Sequence, residues 1–260
     1  MIYLTGDTHG RFGRFQPGLY GQPALKAGDT VIICGDFGGL WKGDEHEERQ
    51  LDRLAALPCT ILFADGNHEN YDLLDAYPVT EWQGGRVQAL RPDLLHLLRG
   101  QIYEIEGRSF FVMGGAESHD IWNGILDMDA PDFERRYARM RNAGKFFRVK
   151  GLSWWERELP SEEELQEGLR NLRKHGNRVD YIISHCAPSG LQEALMRLLN
   201  NYSYPDNALT QYLQTLSETV DFTAWFCGHY HRQLSAGKYH VLSETIIPLP
   251  QENESGGRFP

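Results

Sequence analysis

The chain lacks any long hydrophobic stretch: its apolar runs reach only about six residues, against the roughly 18 that a membrane helix needs. Cysteine is scarce, and Cys34, Cys59, Cys186 and Cys227 are dispersed without Cys-x-x-Cys spacing. They read as small buried hydrophobes in a reducing compartment. Positive charge is in deficit, with 26 Lys and Arg against 36 Asp and Glu, a net charge of −10. No global field therefore draws the protein to nucleic acid or anionic lipid, which leaves only a local basic patch for that role. The opening Met1-Ile2-Tyr3-Leu4-Thr5-Gly6-Asp7 has neither a charged leader nor a long apolar segment, so no secretory signal is read and a cytoplasmic location is expected. What is present is ordinary globular composition over 260 residues, 41% apolar and 24% charged, enough to bury a sizeable core.

Five short β-rich runs stand out at Ile2 to Leu4, Thr30 to Cys34, Thr60 to Ala64, Tyr181 to Ser184 and Phe222 to Cys227. Continuous apolar runs suit strands covered on both faces. Helices are predicted over Asp44 to Leu57, where Asp44 and Glu47 form a capping-box pattern before Pro58, over Ser189 to Leu199, with Gln192 at the third helical position, and over Asp206 to Leu216. This rhythm indicates an α/β architecture. A second group of strands is expected at Leu94 to Leu98, Ile102 to Ile105, Ser109 to Met113, Tyr239 to Leu242 and Thr245 to Leu249, paired as hairpins. One domain is expected over residues 1–250, with a helical, locally basic insertion at about 116–176 carrying helices at Pro131 to Met140 and Ser161 to His175. Residues 251–260 read as a disordered tail.

Polar groups stand immediately after the five main strands: Asp7-Thr8-His9-Gly10, Gly35-Asp36, Gly66-Asn67-His68-Glu69, His185, and Gly228-His229-Tyr230-His231. Ligands bind at the carboxyl ends of strands in open α/β sheets, so these groups can converge on one edge. Each alone is weak. Asp7 or Asp36 by itself reads as a helix cap or turn residue, and His185 as a hydrogen-bonded buried histidine. With 10 His in the chain, a lone Asp-x-His is expected by chance roughly 0.6 times. The ordered set of five is much harder to obtain by accident. Carboxylate, imidazole and amide oxygens together suit manganese, iron, zinc, nickel or cobalt, and the absence of Cys ligands argues against a structural zinc.

In this order of D-x-H, G-D, G-N-H, a single H and G-H-x-H, the sequence resembles the calcineurin-like metallophosphoesterase family over most of residues 1–232. The resemblance implies a four-layer α/β/β/α sandwich of two mixed sheets with flanking helices, and two divalent metals, manganese foremost, about 3.5–4 Å apart. It implies one metal held by Asp7, His9, Asp36 and His231, and a second by Asp36, Asn67, His185 and His229. The two oxygens of Asp36 can bridge two cations, and a water shared by them loses its proton to give a hydroxide that attacks phosphorus. His68, a non-ligand by the resemblance, is expected to be the catalytic donor of a proton or hydrogen bond to the phosphoryl or leaving oxygen.

Protein phosphatases of this family carry G-D-x-x-D-R-G where this chain has Gly35-Asp36-Phe37-Gly38-Gly39-Leu40-Trp41. The missing pair removes a carboxylate that could orient His68 and a guanidinium that could grip phosphate. Gly114-Gly115-Ala116 with the later Ser153-Trp154-Trp155-Glu156 resembles a subgroup of small bacterial and phage enzymes. Residues 131–150 hold Arg135, Arg136, Arg139, Arg141, Lys145, Arg148 and Lys150 against Asp132 and Glu134. Most such runs are solvated helix faces, but one beside a two-metal site can also grip a nucleotide or nucleic acid. Arg11, Arg135, Arg139 and Arg232 are therefore the candidate substrate-binding residues. The expected activity is hydrolysis of a phosphate ester, with a phosphodiester or nucleotide-type substrate favoured over a phosphomonoester or phosphoprotein. A non-catalytic metal-binding scaffold of the same fold is the alternative from another class. His119, after the Gly114-Gly115 turn, is the remaining histidine best placed for a substrate-facing loop.

Overall fold

The structure, a computed structural model, describes residues 1–16, 22–199 and 204–250. Along the chain run β1 (Ile2–Thr5), β2 (Asp29–Ile33), α1 (Glu45–Ala55), β3 (Cys59–Phe63), α2 (Tyr71–Leu74), β4 (Val79–Trp82), β5 (Gly85–Arg91) and β6 (Leu94–Leu97). Next come β7 (Gln101–Ile105), β8 (Arg108–Met113), β9 (Ile125–Leu126), α3 (Phe133–Asn142), β10 (Arg148–Val149) and α4 (Glu162–Lys174). The last part holds β11 (Tyr181–Ser184), α5 (Ser189–Leu199), α6 (Ala208–Thr219), β12 (Ala224–Cys227), β13 (Leu234–Ala236), β14 (Tyr239–Val241) and β15 (Ile247–Pro248).

These strands form two large mixed sheets, ordered β15-β1-β2-β3-β6-β5-β4 and β13-β14-β12-β11-β8-β7. The first has a parallel centre of β1, β2, β3 and β6 with antiparallel edges. The second repeats this plan around parallel β8, β11, β12 and β14. Every residue of β1, β2, β11 and β12 is buried, which is why these strands read as continuous apolar runs.

Side chains alternate across each strand. Ile2, Leu4, Ile32 and Leu62 of the first sheet pack against Val112, Tyr181, Ile183 and Phe226 of the second. The opposite faces of the two sheets are covered by helices. Val31, Ile33, Ile61 and Phe63 meet Leu51 and Leu54 of α1, while Phe111, Met113, Ile182 and Trp225 meet α4 and α6 through Leu165, Leu172, Leu209, Leu213 and Leu216. The result is the four-layer α/β/β/α sandwich. Each fully buried Leu, Ile or Phe contributes roughly 1.5–3 kcal/mol.

Local signals explain most element ends. Asp44 caps α1 by accepting from the N–H groups of His46 and Glu47, but the reciprocal half of the expected box is absent. Glu47 Oε2 turns to the preceding loop and accepts from Trp41, Lys42 and Gly43 at 2.9, 2.7 and 2.8 Å. In α4 both halves form between Ser161 and Glu164. Gln192 of α5 is buried, its amide donating to the Tyr204 carbonyl and accepting from Tyr230 Oη. The four cysteines are free and buried.

The expected second strand group does not hold together. β6 lies beside β3 and β15 beside β1 in the first sheet, while β7, β8 and β14 belong to the second. A short apolar run specifies a strand, but its partner is chosen by the crossover that delivers it. The β4–β5 hairpin was not expected, because the first three residues of β4 are exposed and carry no apolar alternation. Its two-residue turn has positive φ at both Gln83 (48°) and Gly84 (89°), the handedness that matches strand twist.

Within residues 116–176 lie the parallel pair β9–β10, α3 and α4. No side chain of α3 is buried, whereas α4 belongs to the layer over the second sheet. The tail at residues 251–260 lies outside the described residues.

Candidate metal centre

The parallel strands of both sheets deliver their carboxyl ends to one side of the sandwich. Asp7, Asp36 and Asn67 follow β1, β2 and β3, while His185, His229 and His231 follow β11 and β12. The chain must bend sharply off each strand to present these groups. His9, Asp36, His229 and His231 have φ of 46°, 49°, 69° and 50°, four of the seven non-glycine residues with positive φ among the described residues. Left-handed backbone is uncommon outside glycine, and its concentration here marks a constrained site.

The motifs lock into one another. A Cβ at Gly66 would overlap Asp36 Oδ1, and one at Gly228 would overlap Asp7 Oδ1, so each of these glycines makes room for a carboxylate from another motif. The same two oxygens are fixed by backbone donors: His68 N–H to Asp36 Oδ1 at 2.8 Å, and His229 N–H to Asp7 Oδ1 at 2.9 Å.

That arrangement leaves the second oxygens to other partners. Asp7 Oδ2 is buried without a hydrogen bond among the described residues, 3.0 Å from His231 Nε2 and 3.8 Å from His9 Nε2. Asp36 Oδ2 lies 3.7 Å from His9 Nε2, and the His9 and His231 Nε2 atoms are 3.2 Å apart. One ligand atom from each of Asp7, His9, Asp36 and His231 lies within 4.8 Å of the others, a group that could hold a metal ion. Two carboxylates and two imidazole nitrogens crowded together, with a buried oxygen unsatisfied, fit a divalent cation. Burial holds the His9 imidazole below its ordinary pKa despite Asp36 and Asp7, a shift that favours the neutral ring, the form in which imidazole binds a metal.

The other oxygen of Asp36 faces a second set. Asp36 Oδ1 is 3.2 Å from His185 Nε2, which is 3.3 Å from Asn67 Oδ1, and the His229 ring lies 4.9 Å from that of His185. His185 Nδ1 lies 2.8 Å from the Cys34 carbonyl, as donor, which fixes the ring and aims Nε2 at the carboxylate. Burial lowers the His185 pKa, but Asp36 and Asp7 outweigh it and raise it to about 10. Buried negative charge thus demands a positive partner at this point as well.

Further side chains support the third motif. Asp65 is buried and accepts from Arg99 Nε (2.8 Å), Arg99 Nη2 and Tyr71 Oη (2.9 Å), while Tyr71 Oη also reaches the Gly66 carbonyl at 2.6 Å. Burial would raise the Asp65 carboxyl, but Arg99 and His96 hold it far below the usual carboxylate range. Glu69 is buried and accepts from Phe37 and Gly38 N–H at 2.6 and 3.2 Å, tying the third motif to the second. Asn67 Nδ2 lies 3.4 Å from Ser118 Oγ, and Ser118 N–H donates to Glu158 Oε2 at 3.0 Å. Glu158 is 2% exposed, its Oε1 has no hydrogen bond among the described residues, and burial pushes its carboxyl up to about 8.

His68 stands beside this centre, its ring 4.8 Å from that of His9. Its Nε2 is 3.2 Å from Nη2 of Arg148. Burial lowers its pKa to about 4, with Arg148 adding to the fall and Asp36 opposing it. Arg148 also donates to Asp120 Oδ1 at 2.8 Å and to the Ser153 carbonyl at 2.9 Å. The His119 ring lies 5.8 Å from that of His229. Arg11, Arg135, Arg139 and Arg232 are exposed; among the described residues Arg11 is tied to the first motif only through its backbone N–H, which donates to the Thr8 carbonyl at 2.8 Å, and Arg135 lies 3.7 Å from Asp132. Asp65, Glu69, Arg99, Ser118, Asp120, Arg148 and Glu158 were not identified as site residues from sequence. Glu69 sat inside a motif and Arg148 inside a basic run, but no spacing rule separated them from their neighbours.

A mixed two-sheet sandwich with clustered Asp and His residues at its strand ends defines a metallohydrolase-type centre. The family model of the calcineurin-like phosphoesterases matches residues 1–233, and the chain belongs to that family. It is a metal-dependent phosphoesterase, and the family implies divalent metal ions. Among curated proteins, none matches the sequence. Among solved structures the chain is similar to phosphopantetheinyl hydrolase from Mycobacterium tuberculosis, with 14% identity, 98% of each chain covered and a TM-score of 0.46. Among the described residues no helix is long and apolar enough to cross a membrane.

Proposed function

We propose that this protein hydrolyses a phosphodiester or nucleotide-type phosphate ester with two divalent ions. One would be held by Asp7, His9, Asp36 and His231, the other by Asp36, Asn67, His185 and His229. The observation that carries the reading is Asp36, whose Oδ2 is 3.7 Å from His9 Nε2 while its Oδ1 is 3.2 Å from His185 Nε2. A carboxylate facing imidazoles through both oxygens suits a bridge. When bound, such ions activate a water and neutralise phosphoryl oxygens. The chain's own contribution is to hold the ligand atoms at fixed positions through the His68 and His229 N–H groups, and to place His68 at the edge as hydrogen-bond donor to a substrate oxygen. The exposed basic α3 supports a polyanionic substrate over a small monoester, by charge complementarity.

The test is the rate of hydrolysis of an aryl phosphodiester and of its monoester by manganese-reconstituted protein, beside a count of bound metal. Diester preference with two ions per chain is the expected result. Monoester preference would overturn the substrate reading, one ion per chain would remove the bridge, and two bound ions with no turnover of any phosphate ester would leave a scaffold.

A further inference from the structure

We propose that Arg148 is the phosphoryl-binding residue of this site and that, with substrate absent, it fixes the tautomer of His68. The inference rests on the phosphoesterase reading above and adds a residue to it.

The second motif, Gly35-Asp36-Phe37-Gly38-Gly39-Leu40, supplies no guanidinium. The fold supplies one from β10. Arg148 is 8% exposed, and its strand is held by pairing with β9, Arg148 opposite Ile125. Two of its bonds fix the head group from within the same segment: Nε to Asp120 Oδ1 at 2.8 Å and Nη1 to the Ser153 carbonyl at 2.9 Å. The third crosses to the site, Nη2 to His68 Nε2 at 3.2 Å.

A guanidinium only donates. His68 Nε2 must therefore accept, which places the ring proton on Nδ1. Other buried arginines are satisfied differently: Arg99 gives both Nε and Nη2 to the carboxylate of Asp65, and Arg14 gives its donors to the Thr5 hydroxyl and to backbone carbonyl oxygens. Arg148 instead spends Nη2 on a neutral nitrogen, a weak acceptor for a cation. A phosphoryl oxygen carries charge and forms the stronger, shorter bond, so the His68 contact is the one that substrate replaces. His68 adjoins His9, whose Nε2 belongs to the four-residue ligand group. Arg148 thus reaches the edge of that group through His68, and its freed Nη2 is available to a phosphoryl oxygen bound there.

The experiment compares wild-type protein with Arg148→Gln and Arg148→Lys, using inorganic phosphate as the probe. Three quantities are read: bound metal, the phosphate inhibition or binding constant of the metal-loaded protein, and the 15N resonances of His68 in the metal-free protein. The proposal expects unchanged metal content, phosphate binding weakened by about 10-fold or more, and kcat/KM lowered about 10²- to 10³-fold in Arg148→Gln, the range for loss of one preorganised donor to phosphoryl or acyl oxygen. Arg148→Lys should recover part of both, since it keeps charge without the fork, and it stands as the folded control if the Gln variant is unstable. In wild type the His68 proton should sit on Nδ1, and in Arg148→Gln the two tautomers should mix. Wild-type phosphate binding in either folded variant, or a wild-type His68 protonated at Nε2, would overturn the proposal. Phosphate binding through Arg148 in a protein that hydrolyses no ester would sink the enzymatic reading and leave this assignment standing.

Discussion

The backbone N–H of His229 donates to Asp7 Oδ1 at 2.9 Å, joining the last motif to the first across 222 residues. One carboxylate thus has two tasks in the proposed site: Oδ1 ties the loops together, and Oδ2 faces the His9 and His231 imidazoles of the group that could hold a metal ion. Asp7→Asn separates them, because an amide oxygen still accepts from His229 while the charge is gone. The variant is expected to fold with a near wild-type melting temperature yet to bind metal at least about 100-fold more weakly, since loss of even an outer partner of a ligand costs about 10–100-fold. Titration of metal into the folded apo variant checks this, and wild-type affinity would remove Asp7 from the ligand set.

Gly228→Ala tests the same junction sterically. Its Cβ would fall on Asp7 Oδ1 and the Cys34 carbonyl, and backbone atoms cannot yield cheaply. Loss of bound metal exceeding the loss of thermal stability is expected, read from metal content beside a melting curve.

His68→Ala removes a side chain that accepts from Arg148 and adjoins His9 without being assigned as a ligand. Full metal occupancy with turnover reduced by about 10²- to 10⁴-fold is expected, the range for a positioned proton or hydrogen-bond donor. An emptied metal site in that variant would make His68 a ligand instead.

Asp65→Ala takes from the Arg99 guanidinium, which is 4% exposed, its buried carboxylate and leaves it the more distant Glu164, 3.4 Å from Nη1. Breaking a buried pair in this way typically costs about 3–5 kcal/mol, to be measured by denaturant unfolding. The loop that carries Asn67 should loosen as well, because Tyr71 loses its Asp65 bond and is left with the Gly66 carbonyl and an Arg99 guanidinium that has itself lost Asp65.

Glu158 gives a pH signature. Burial raises its carboxyl to about 8 from the ordinary 4.5, so the native chain keeps a proton that the unfolded chain releases. Its contribution to stability is complete below about pH 4.5 and declines as pH rises through about 8, at about 1.4 kcal/mol per pH unit in between. Glu158→Gln abolishes that decline. The melting temperature of the variant relative to wild type should climb between pH 5 and pH 8 and level off above; parallel curves would show that the native carboxyl is ionised.

The five main strands were legible because burial on both faces writes a continuous apolar run into the sequence, and Asp7, Asp36, Asn67, His185 and His231 were legible because they fall directly behind such runs. Partner choice was not legible. β15 returns to pair with β1 from the far end of the described chain, and nothing local in Ile247–Pro248 encodes that. Arg148 was hidden for a related reason: in sequence it is one of a cluster of cations, and only the β9–β10 pairing singles it out by bringing it to His68 while α3 stays exposed. Glu47 shows the limit of cap motifs, since a box requires the reciprocal bond and its carboxylate found three better-placed donors in the preceding loop.

Asp7, Asp36 and Asn67 belong to one sheet, and His185, His229 and His231 to the other. The apolar layer between the sheets, with Leu4 and Ile32 facing Ile183 and Phe226, would therefore act as a calliper whose jaws are the two halves of the proposed ligand set. A change of filling there, such as Ile183→Ala, alters the gap across which Asp36 and His185 meet. On that ligand set, ion selectivity would be tunable from oily positions that never touch an ion, because metals of different radius call for different openings of the same jaws.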